Sequence, residues 1–441
     1  MKTKLINKNK LLALALACSL CATSCQIDEL DDPNNPSVDL VDNATLSELQ
    51  NLITGIESGM RNRLGTYYDD VGVIGREYYR FSGSDPRFTA DLLGKGSATL
   101  DNNTFYITGP YAERYRVIKN ANLLIEAVDN TQASISDAQK NYIKAYAKTI
   151  KAYQLLMNLN LLYTNGIRTD VGDADNLGAF RNYSEALGDI EALLNEAETE
   201  LKGSEDEFIF DLSSGFSGFD DPAGFLEFNR AIAARVALYQ EDYTAALTYL
   251  DDSFLDENGD LETGPQHFFS TAGGDLTNPM FFPANASGET RVAHPSFIAD
   301  ALAGDERLSK VKERESTASL DNLTSNYDVM VYPTQSDNIP IIRNEELVLI
   351  FAEASLMDGN SGDAVDAINV IRAAHGLAPY AGNVTDEALI DEILFQRRYS
   401  LYGEGHRWID MRRFEKLGEL PIDRSGDDVW VAFPRPATEN E

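Results

Sequence analysis

The sequence predicts a mostly α-helical protein in which pairs of helices stack side by side and an irregular, loop-rich lobe interrupts them. Three observations lead to this fold class. Apolar residues recur at helical spacing over several long segments. Two of these segments repeat one helix–turn–helix plan. Between the helical segments, glycine, proline, asparagine and aspartate break the helical period in zones rich in aromatic residues.

The first residues, MKTKLINKNKLLALALACSLCA, have the layout of a secretory signal peptide. Lysines precede an apolar run of about a dozen residues, which is shorter than the roughly 20 residues that a membrane-spanning helix needs. The run Ala22-Thr23-Ser24-Cys25 resembles a lipoprotein signal-peptidase box, so residues 1–24 are predicted to be removed and Cys25 to be lipidated. The alternatives are lipidation at Cys18 and an ordinary cleaved signal.

Residues 25–40, which include the run QIDELDDPNNP, are predicted to tether the lipid to the body of the protein. The acids soon after Cys25 resemble the signal that sends some Gram-negative lipoproteins to the cell surface. We therefore expect a lipoprotein on the outer face of the outer membrane. Residues 41–441 contain no further Pro/Ser-rich linker, and we predict that they form a single domain.

The composition excludes several classes of function. The chain has 37 basic and 71 acidic residues, a formal net charge of −34, and its acids are spread along the chain, which excludes nucleic acid as a partner. If Cys25 is the mature N-terminus, no other cysteine remains, so disulfides, cysteine-bound zinc and a thiol nucleophile are excluded. With 43% hydrophobic residues, the chain can bury a large core without covalent links.

Helical periodicity places the scaffold mainly in residues 112–252 and 341–414. The segment from Asp137 to Tyr163 has Ser136 or Asp137 as its N-cap. Similar periodicity predicts helices in residues 112–128, 183–203, 228–251, 344–374 and 385–402.

Two helical segments look alike internally. Residues 228–252 give a helix, a short turn and a second, alanine-rich helix, and residues 344–376 repeat this plan. Alternation of large and small apolar residues across a short helix–turn–helix is typical of tetratricopeptide-like pairs, which stack into arrays. An ordinary irregular helical domain is the alternative. The zones at 67–105 and 264–340, by contrast, are predicted to be loop-rich lobes, and loops of this length on a compact scaffold tend to be functional.

The C-terminal stretch from Phe395 to Phe414, FQRRYSLYGEGHRWIDMRRF, concentrates charged residues around Trp408. His406 and Asp410 would share a helix face as two metal ligands, but no third ligand is near, and we expect the charges to tie the last helices to the scaffold. No pair of carboxylates stands out for glycoside hydrolysis. The turn DENGDLE at 256–262 has its glycine too early for a calcium loop. The sequence therefore predicts a binding protein without catalysis, metal or cofactor.

Four motifs in the last hundred residues resemble the C-terminal region of the SusD/RagB family, surface lipoproteins of nutrient uptake in Gram-negative bacteria. They occur in the family's order and spacing, with Gln396 where an acid is commoner. The motifs are Arg343-Asn344-Glu345-Glu346, Asn369 to Arg372, Gln396-Arg397-Arg398 and Glu404 to Arg413.

This resemblance implies a tetratricopeptide-like helix-pair scaffold, a SusD-like α-superhelix, with an irregular lobe that holds the ligand site. It also implies a partner, a SusC-type TonB-dependent outer-membrane transporter, over which the lipoprotein sits as a lid. Members most often bind oligosaccharides, and some bind peptides. The function expected for this chain is capture of an oligosaccharide and delivery to that transporter. The alternatives are a peptide-binding member of the family, a tetratricopeptide-like adaptor between proteins and a secreted hydrolase.

Candidate ligand residues follow from the chemistry of sugars, whose rings stack on aromatic faces and whose hydroxyls bond to polar planar side chains. The first loop-rich zone supplies this mixture in the run EYYRFSGSDPRF. Paired phenylalanines in the second zone provide another wall, although such pairs are also typical of a core. The predicted ligand residues are Tyr78, Tyr79, Arg80, Asp85, Arg87, Phe281 and Phe282.

Overall fold

The computed structural model describes residues 43–173 and 175–440. The predicted signal peptide, the lipidation site at Cys25 and the tether lie outside the described residues. Within the described part, no helix has the length and apolar character needed to cross a membrane. The helices are α1 Leu46–Met60, α2 Leu64–Ile74, α3 Phe105–Asn130, α4 Asp137–Leu162, α5 Tyr183–Leu201, α6 Pro222–Gln240, α7 Tyr243–Asp251, α8 Pro295–Ala299, α9 Asn344–Met357, α10 Ser361–Ala374, α11 Asp386–Ser400 and α12 Arg407–Arg413.

The helices stack in sequence order and form a continuous scaffold. Helix α3 packs on α4, α4 on α5, α5 on α6 and α6 on α7, after which α7 contacts α9, and α9 contacts α10 and α11. The two helix pairs expected from the repeated plan are α6–α7 and α9–α10. Their turns use a left-handed backbone, at Glu241 with φ 61° and at Gly359 with φ 93°. The prediction of a mostly α-helical scaffold of helix pairs is confirmed.

Local sequence signals explain where several helices begin. Thr45 and Asn182 each close a capping box with a glutamate three residues later, before α1 and α5 respectively. Ser136 caps α4, as the sequence predicts, and its side chain accepts a hydrogen bond from the backbone N–H of Gln139. Asp221 caps α6, which starts on Pro222, a residue whose missing N–H is not needed at that place.

The strands lie almost entirely in the two predicted loop-rich zones. A four-stranded antiparallel sheet has the order β1-β5-β7-β6, so β1 from the first zone pairs with β5 from the second. Two short ladders, β2 with β3 and β4 with β8, complete the set. The strands are β1 Tyr78–Ser82, β2 Ile167–Arg168, β3 Phe180–Arg181, β4 Gln266–His267, β5 Glu289–Ala293, β6 Val311–Leu320, β7 Leu323–Val329 and β8 Ile339–Pro340.

Two boundaries differ from the sequence-based prediction. The first loop-rich zone was expected to begin at Tyr67, but residues up to Ile74 belong to α2. The glycine within this helix serves packing, because a Cβ at Gly72 would lie 2.6 Å from the Tyr78 ring. Helix α3 begins at Phe105 and not at Ala112, and it contains a buried proline in its second turn. Tertiary packing therefore overrides the helix-breaking character of Gly72 in α2 and of the proline in α3.

The charged C-terminal stretch closes the scaffold, as expected. Arg397 on α11 donates to Asp410 on α12 at 2.7 Å, and Arg413 reaches back to both carboxylate oxygens of Glu353 on α9. Trp408 is fully buried, and its indole N–H donates to the backbone oxygen of residue 430 at 2.7 Å. These contacts join three helices to one another.

Candidate functional site

The first predicted ligand segment turns sharply at the end of β1. After Ser82, the backbone N–H of Gly83 donates to the oxygen of Gly288 at 2.6 Å, which ties the turn to the start of β5. Asp85 then caps a single helical turn, its side chain accepting from the backbone N–H of Arg87 at 3.0 Å. The sequence Ser-Asp-Pro at this point supplies a turn residue, a cap and a proline at the first helical position.

Arg80 lies at the base of this turn, between two aromatic rings. Its guanidinium carbon is 5.1 Å from the ring centre of Phe88 and 4.8 Å from that of Phe282. It donates to Glu289 at 2.5 Å and to the backbone oxygen of residue 81 at 2.6 Å. A buried guanidinium held by rings and by a carboxylate is fixed in orientation, so Arg80 positions the surrounding side chains.

A second arginine supports the same ring. The register of β1 and β5 sets Arg291 directly opposite Arg80, and Asp69 on α2 lies beside both. Arg291 donates to the two Asp69 oxygens at 2.6 and 2.8 Å, and its guanidinium carbon is 4.9 Å from the Phe282 ring centre. Two like charges opposite each other would repel, and the carboxylates of Asp69 and Glu289 offset this.

The side chains of Tyr78 and Tyr79 lie in the core, which differs from the expectation that they contact ligand. Tyr78 is 0% exposed and donates its hydroxyl to the backbone oxygen of Tyr68 at 2.7 Å. Tyr79 packs against Phe81 and His294, with ring centres 5.7 and 5.1 Å away. Burial raises the pKa of both tyrosines above the usual value. Strand β1 is covered on both faces, so neither ring is open to a ligand in this structure.

The open part of the site is a small group of side chains that we call the β1-end surface: Ser84, Asp85, Arg87, Phe282 and Glu289. The Arg87 side chain is 44% exposed and grips Asp85 through two hydrogen bonds, of 2.8 and 2.6 Å. Because of this grip, the pKa of Asp85 lies below its usual value. Glu289 accepts from Ser82 at 2.7 Å and from Ser84 at 2.9 Å.

Aromatic side chains border this surface. Phe281 and Phe282 are half-buried, and the Arg87 guanidinium carbon is 4.8 Å from the ring centre of Phe105, which is also half-buried. The β1-end surface thus offers carboxylate oxygens that are already oriented, a planar guanidinium with an open edge and parts of two aromatic rings, those of Phe105 and Phe282. Hydroxyl-rich ligands need this combination of acceptors, donors and flat apolar faces.

Four of the seven predicted residues therefore come together: Arg80, Asp85, Arg87 and Phe282. Phe281 precedes Phe282 in the chain, and its side chain is half-buried. Sequence reasoning missed Asp69, Glu289 and Arg291, which orient this group. Glu289 and Arg291 lie on β5, some two hundred residues from β1 along the chain, and only the strand pairing brings them close. Among the residues that the structure describes, no cluster of three or more His, Cys, Asp or Glu side chains could hold a metal ion.

Comparison with known proteins identifies the family. The model of the SusD family matches residues 324–431. The SusD-like protein P38 of Formosa agariphila is 32% identical over 155 residues, a span that covers 32% of this chain and 31% of that relative. The matched region thus represents about a third of the relative's length.

Solved structures share the fold over most of the chain. A SusD superfamily protein of Bacteroides vulgatus superposes with a TM-score of 0.68 at 16% identity, over 89% of this chain and 96% of that one. Surface glycan-binding protein A of Bacteroides thetaiotaomicron gives a TM-score of 0.71 at 15% identity over the same shares of the two chains. The same protein in complex with laminarihexaose gives 0.69 at 15% identity, over 90% and 97%. The motif order, the matched C-terminal region and the shared fold together confirm the predicted resemblance to the SusD/RagB family.

Proposed function

We propose that this protein captures an oligosaccharide at the cell surface through the β1-end surface, and that it does so without catalysis. The observation that carries the proposal is the grouping of Asp85, Arg87 and Glu289 beside the half-buried Phe282 on a loop-rich lobe. Glycan binding by solved relatives supports it, since surface glycan-binding protein A of Bacteroides thetaiotaomicron has been crystallised with laminarihexaose.

Binding without reaction fits the state of the carboxylates at this surface. A general acid needs a pKa near the working pH, and burial or a second carboxylate usually raises it. At the β1-end surface the pKa values of Asp85 and Glu289 are both lowered, the first mainly by Arg87 and the second by bonds from Ser82 and Arg80 that outweigh its partial burial. Both side chains therefore serve as hydrogen-bond acceptors and not as proton donors.

Two other functions compete with this one. A peptide-binding member of the same family would use the same acceptors for backbone N–H groups. A tetratricopeptide-like adaptor would bind proteins through the helical scaffold and would leave the β1-end surface without a ligand. The half-buried aromatic side chains beside these polar groups favour the sugar, because pyranose rings stack on aromatic side chains.

Delivery to a membrane transporter completes the proposal. Lipidation at Cys25 would hold the protein on the outer membrane, where a SusC-type TonB-dependent transporter would receive the ligand. The lipobox-like run before Cys25 and the resemblance to the SusD/RagB family support this role.

Isothermal titration calorimetry with a panel of neutral oligosaccharides tests the proposal, and laminarihexaose is the first probe. Replacement of Phe282 by leucine removes the aromatic face and should weaken binding by about three- to tenfold, the size of an aromatic contact. Arg87→Met removes donors but keeps the bulk, and we expect a loss of about fivefold, equal to roughly 1 kcal/mol for a hydrogen bond.

Arg116→Met is the matched control, because Arg116 is 57% exposed and pairs with a neighbouring glutamate on α3, away from the site. The affinity of the Arg116→Met variant for the oligosaccharide should equal that of the unchanged protein. Equal affinities for all three variants would show that the β1-end surface is not the binding site. If no oligosaccharide binds but peptides do, the peptide-binding alternative replaces the proposed function. If neither oligosaccharides nor peptides bind, the adaptor alternative replaces it.

A further inference from the structure

A cavity separate from the β1-end surface lies on the loop-rich lobe, between the loop 330–338 and the start of α9. Its volume is about 370 Å³, which is within the range of roughly 300–1,000 Å³ that small-molecule sites occupy. We call it the α9 cleft. None of the seven predicted ligand residues lines it. The lining residues are Glu262, Gln266, Ser309, Lys310, Met330, Val331, Tyr332, Pro333, Asp337, Asn338, Pro340, Arg343 and Glu404.

The floor of the cleft is a rigid ionic network whose donors are already used. The Arg343 guanidinium donates to Glu404 at 2.9 and 3.1 Å, to the backbone oxygen of Ser400 at 2.6 Å, and to Glu262 and Glu345. Its five N–H groups are thus all occupied. Lys310 donates to the backbone oxygens of residues 399 and 400. These contacts fix the shape of the floor, and the Arg343 guanidinium has no donor left to bind an anion.

One polar group in the wall is buried and has no partner. Tyr332 is 8% exposed, and its hydroxyl makes no hydrogen bond with any other described residue. A buried phenol without a partner is costly, and native proteins rarely keep one without a reason such as a ligand or a bound water. The half-buried side chains of Gln266 and Asn338 also line the cleft, and the Asn338 side-chain oxygen accepts a hydrogen bond from the backbone of Phe269.

The remaining groups define the class of ligand. The rim carries the carboxylates of Glu262 and Asp337, so an anionic ligand would be repelled, and the net charge of −34 adds to this. Phenol and amide groups both donate and accept, as sugar hydroxyls do, and Pro333 with Val331 provides an apolar wall. We propose that the α9 cleft is a second binding site and that it accepts one neutral sugar unit.

The cleft shares a segment with the β1-end surface. Asn278 donates from its backbone to Gln335 at 2.8 Å and from its side chain to the backbone oxygen of Asp337 at 2.7 Å. The chain continues from Asn278 directly to Phe281 and Phe282. One loop therefore supports the rim of the cleft and the aromatic wall of the first site. The inference rests on the proposed function, since it adds a second subsite for the same class of ligand.

Hydrogen–deuterium exchange of the whole protein distinguishes ligand binding at the two sites. With laminarihexaose and with neutral monosaccharides as probes, we expect slower exchange in residues 330–338 as well as in residues 82–89. Tyr332→Phe removes only the unpartnered hydroxyl, so the protein should fold with unchanged or slightly raised thermal stability. It should abolish the protection of 330–338 by sugar and leave the protection of 82–89 in place.

Tyr380→Phe is the matched control, because the Tyr380 hydroxyl donates to the backbone oxygen of Asn383, away from the cleft. In this variant, sugar should protect both segments as it does in the unchanged protein. Protection of 82–89 alone would overturn the inference and keep the proposed function. Protection of 330–338 alone would support the cleft and overturn the assignment of the β1-end surface. No protection in either segment would overturn both. Protection of 330–338 that survives Tyr332→Phe would also overturn the role of the cleft hydroxyl.

Discussion

Replacement of Glu353 by glutamine tests the ionic network that joins the last helices to the scaffold. Glu353 is 0% exposed and receives both arms of the Arg413 guanidinium, at 2.7 and 3.0 Å. Arg413 and Arg397 would then share a single buried carboxylate, that of Asp410, to which they donate at 3.0 and 2.7 Å. The two outer nitrogens of Arg397 already have no hydrogen-bond partner among the described residues.

A buried pair that loses one partner costs about 3–5 kcal/mol. For a chain of roughly 400 residues, the usual entropy of unfolding per residue converts this to a fall in Tm of about 4–6 °C. Differential scanning calorimetry at neutral pH measures it. Glu196→Gln is the control, because the Glu196 side chain is 60% exposed and its pair with Lys148 should contribute less than about 1 kcal/mol.

The double variant Glu353→Gln with Arg413→Met restores the charge balance around Asp410 and should recover part of the lost stability. The reasoning is refuted if Glu353→Gln lowers Tm no more than Glu196→Gln does. It is also refuted if the double variant loses more stability than the two single variants lose when added together.

Two more outcomes can be checked. Burial raises the pKa of Glu77 to about 7, although a hydrogen bond from the backbone of Gly403 and the charges of Arg407 and Arg398 oppose it. The stability that this neutral carboxyl contributes is present at low pH and lost as the pH rises from 4.5 to about 7, so the protein should lose about 3 kcal/mol on this account. Glu77→Gln should therefore flatten the fall in Tm between about pH 5 and about pH 8, and an unchanged slope would contradict the assignment. Cys25→Ala should release the protein from the outer-membrane fraction of cells that lack the partner transporter, whereas continued attachment in such cells would exclude lipidation at Cys25.

The scaffold could be predicted from the sequence because its helices are long and local in character. Apolar period, the Ser136 cap and the repeated plan of α6–α7 and α9–α10 all act within a few residues of one another. The C-terminal charges were also interpreted correctly as structural. Their number exceeds what one surface helix needs, and arginine with aspartate at short spacing is a recurrent means of joining helices.

The binding surface could be predicted only in part, because its decisive contacts are remote in sequence. Nothing near Tyr78 shows that Gly72 leaves room for its ring, so an exposed and a buried tyrosine look alike in the sequence. The partners of Arg80 come from α2 and β5, and no local sequence pattern predicts them. Asp85 and Arg87, which follow the turn, could be placed together from the sequence because turn chemistry is local.

The end of the chain packs against its beginning, and this has a consequence for how the protein is made. Arg76 donates to the backbone oxygens of residues 421 and 428, and Trp430 donates to that of Asp91. Such contacts join segments more than three hundred residues apart, so loop closure over nearly the whole chain precedes them. The groups around Arg76 are therefore completed only after residues 421–430 have been synthesised, and these contacts form late in folding.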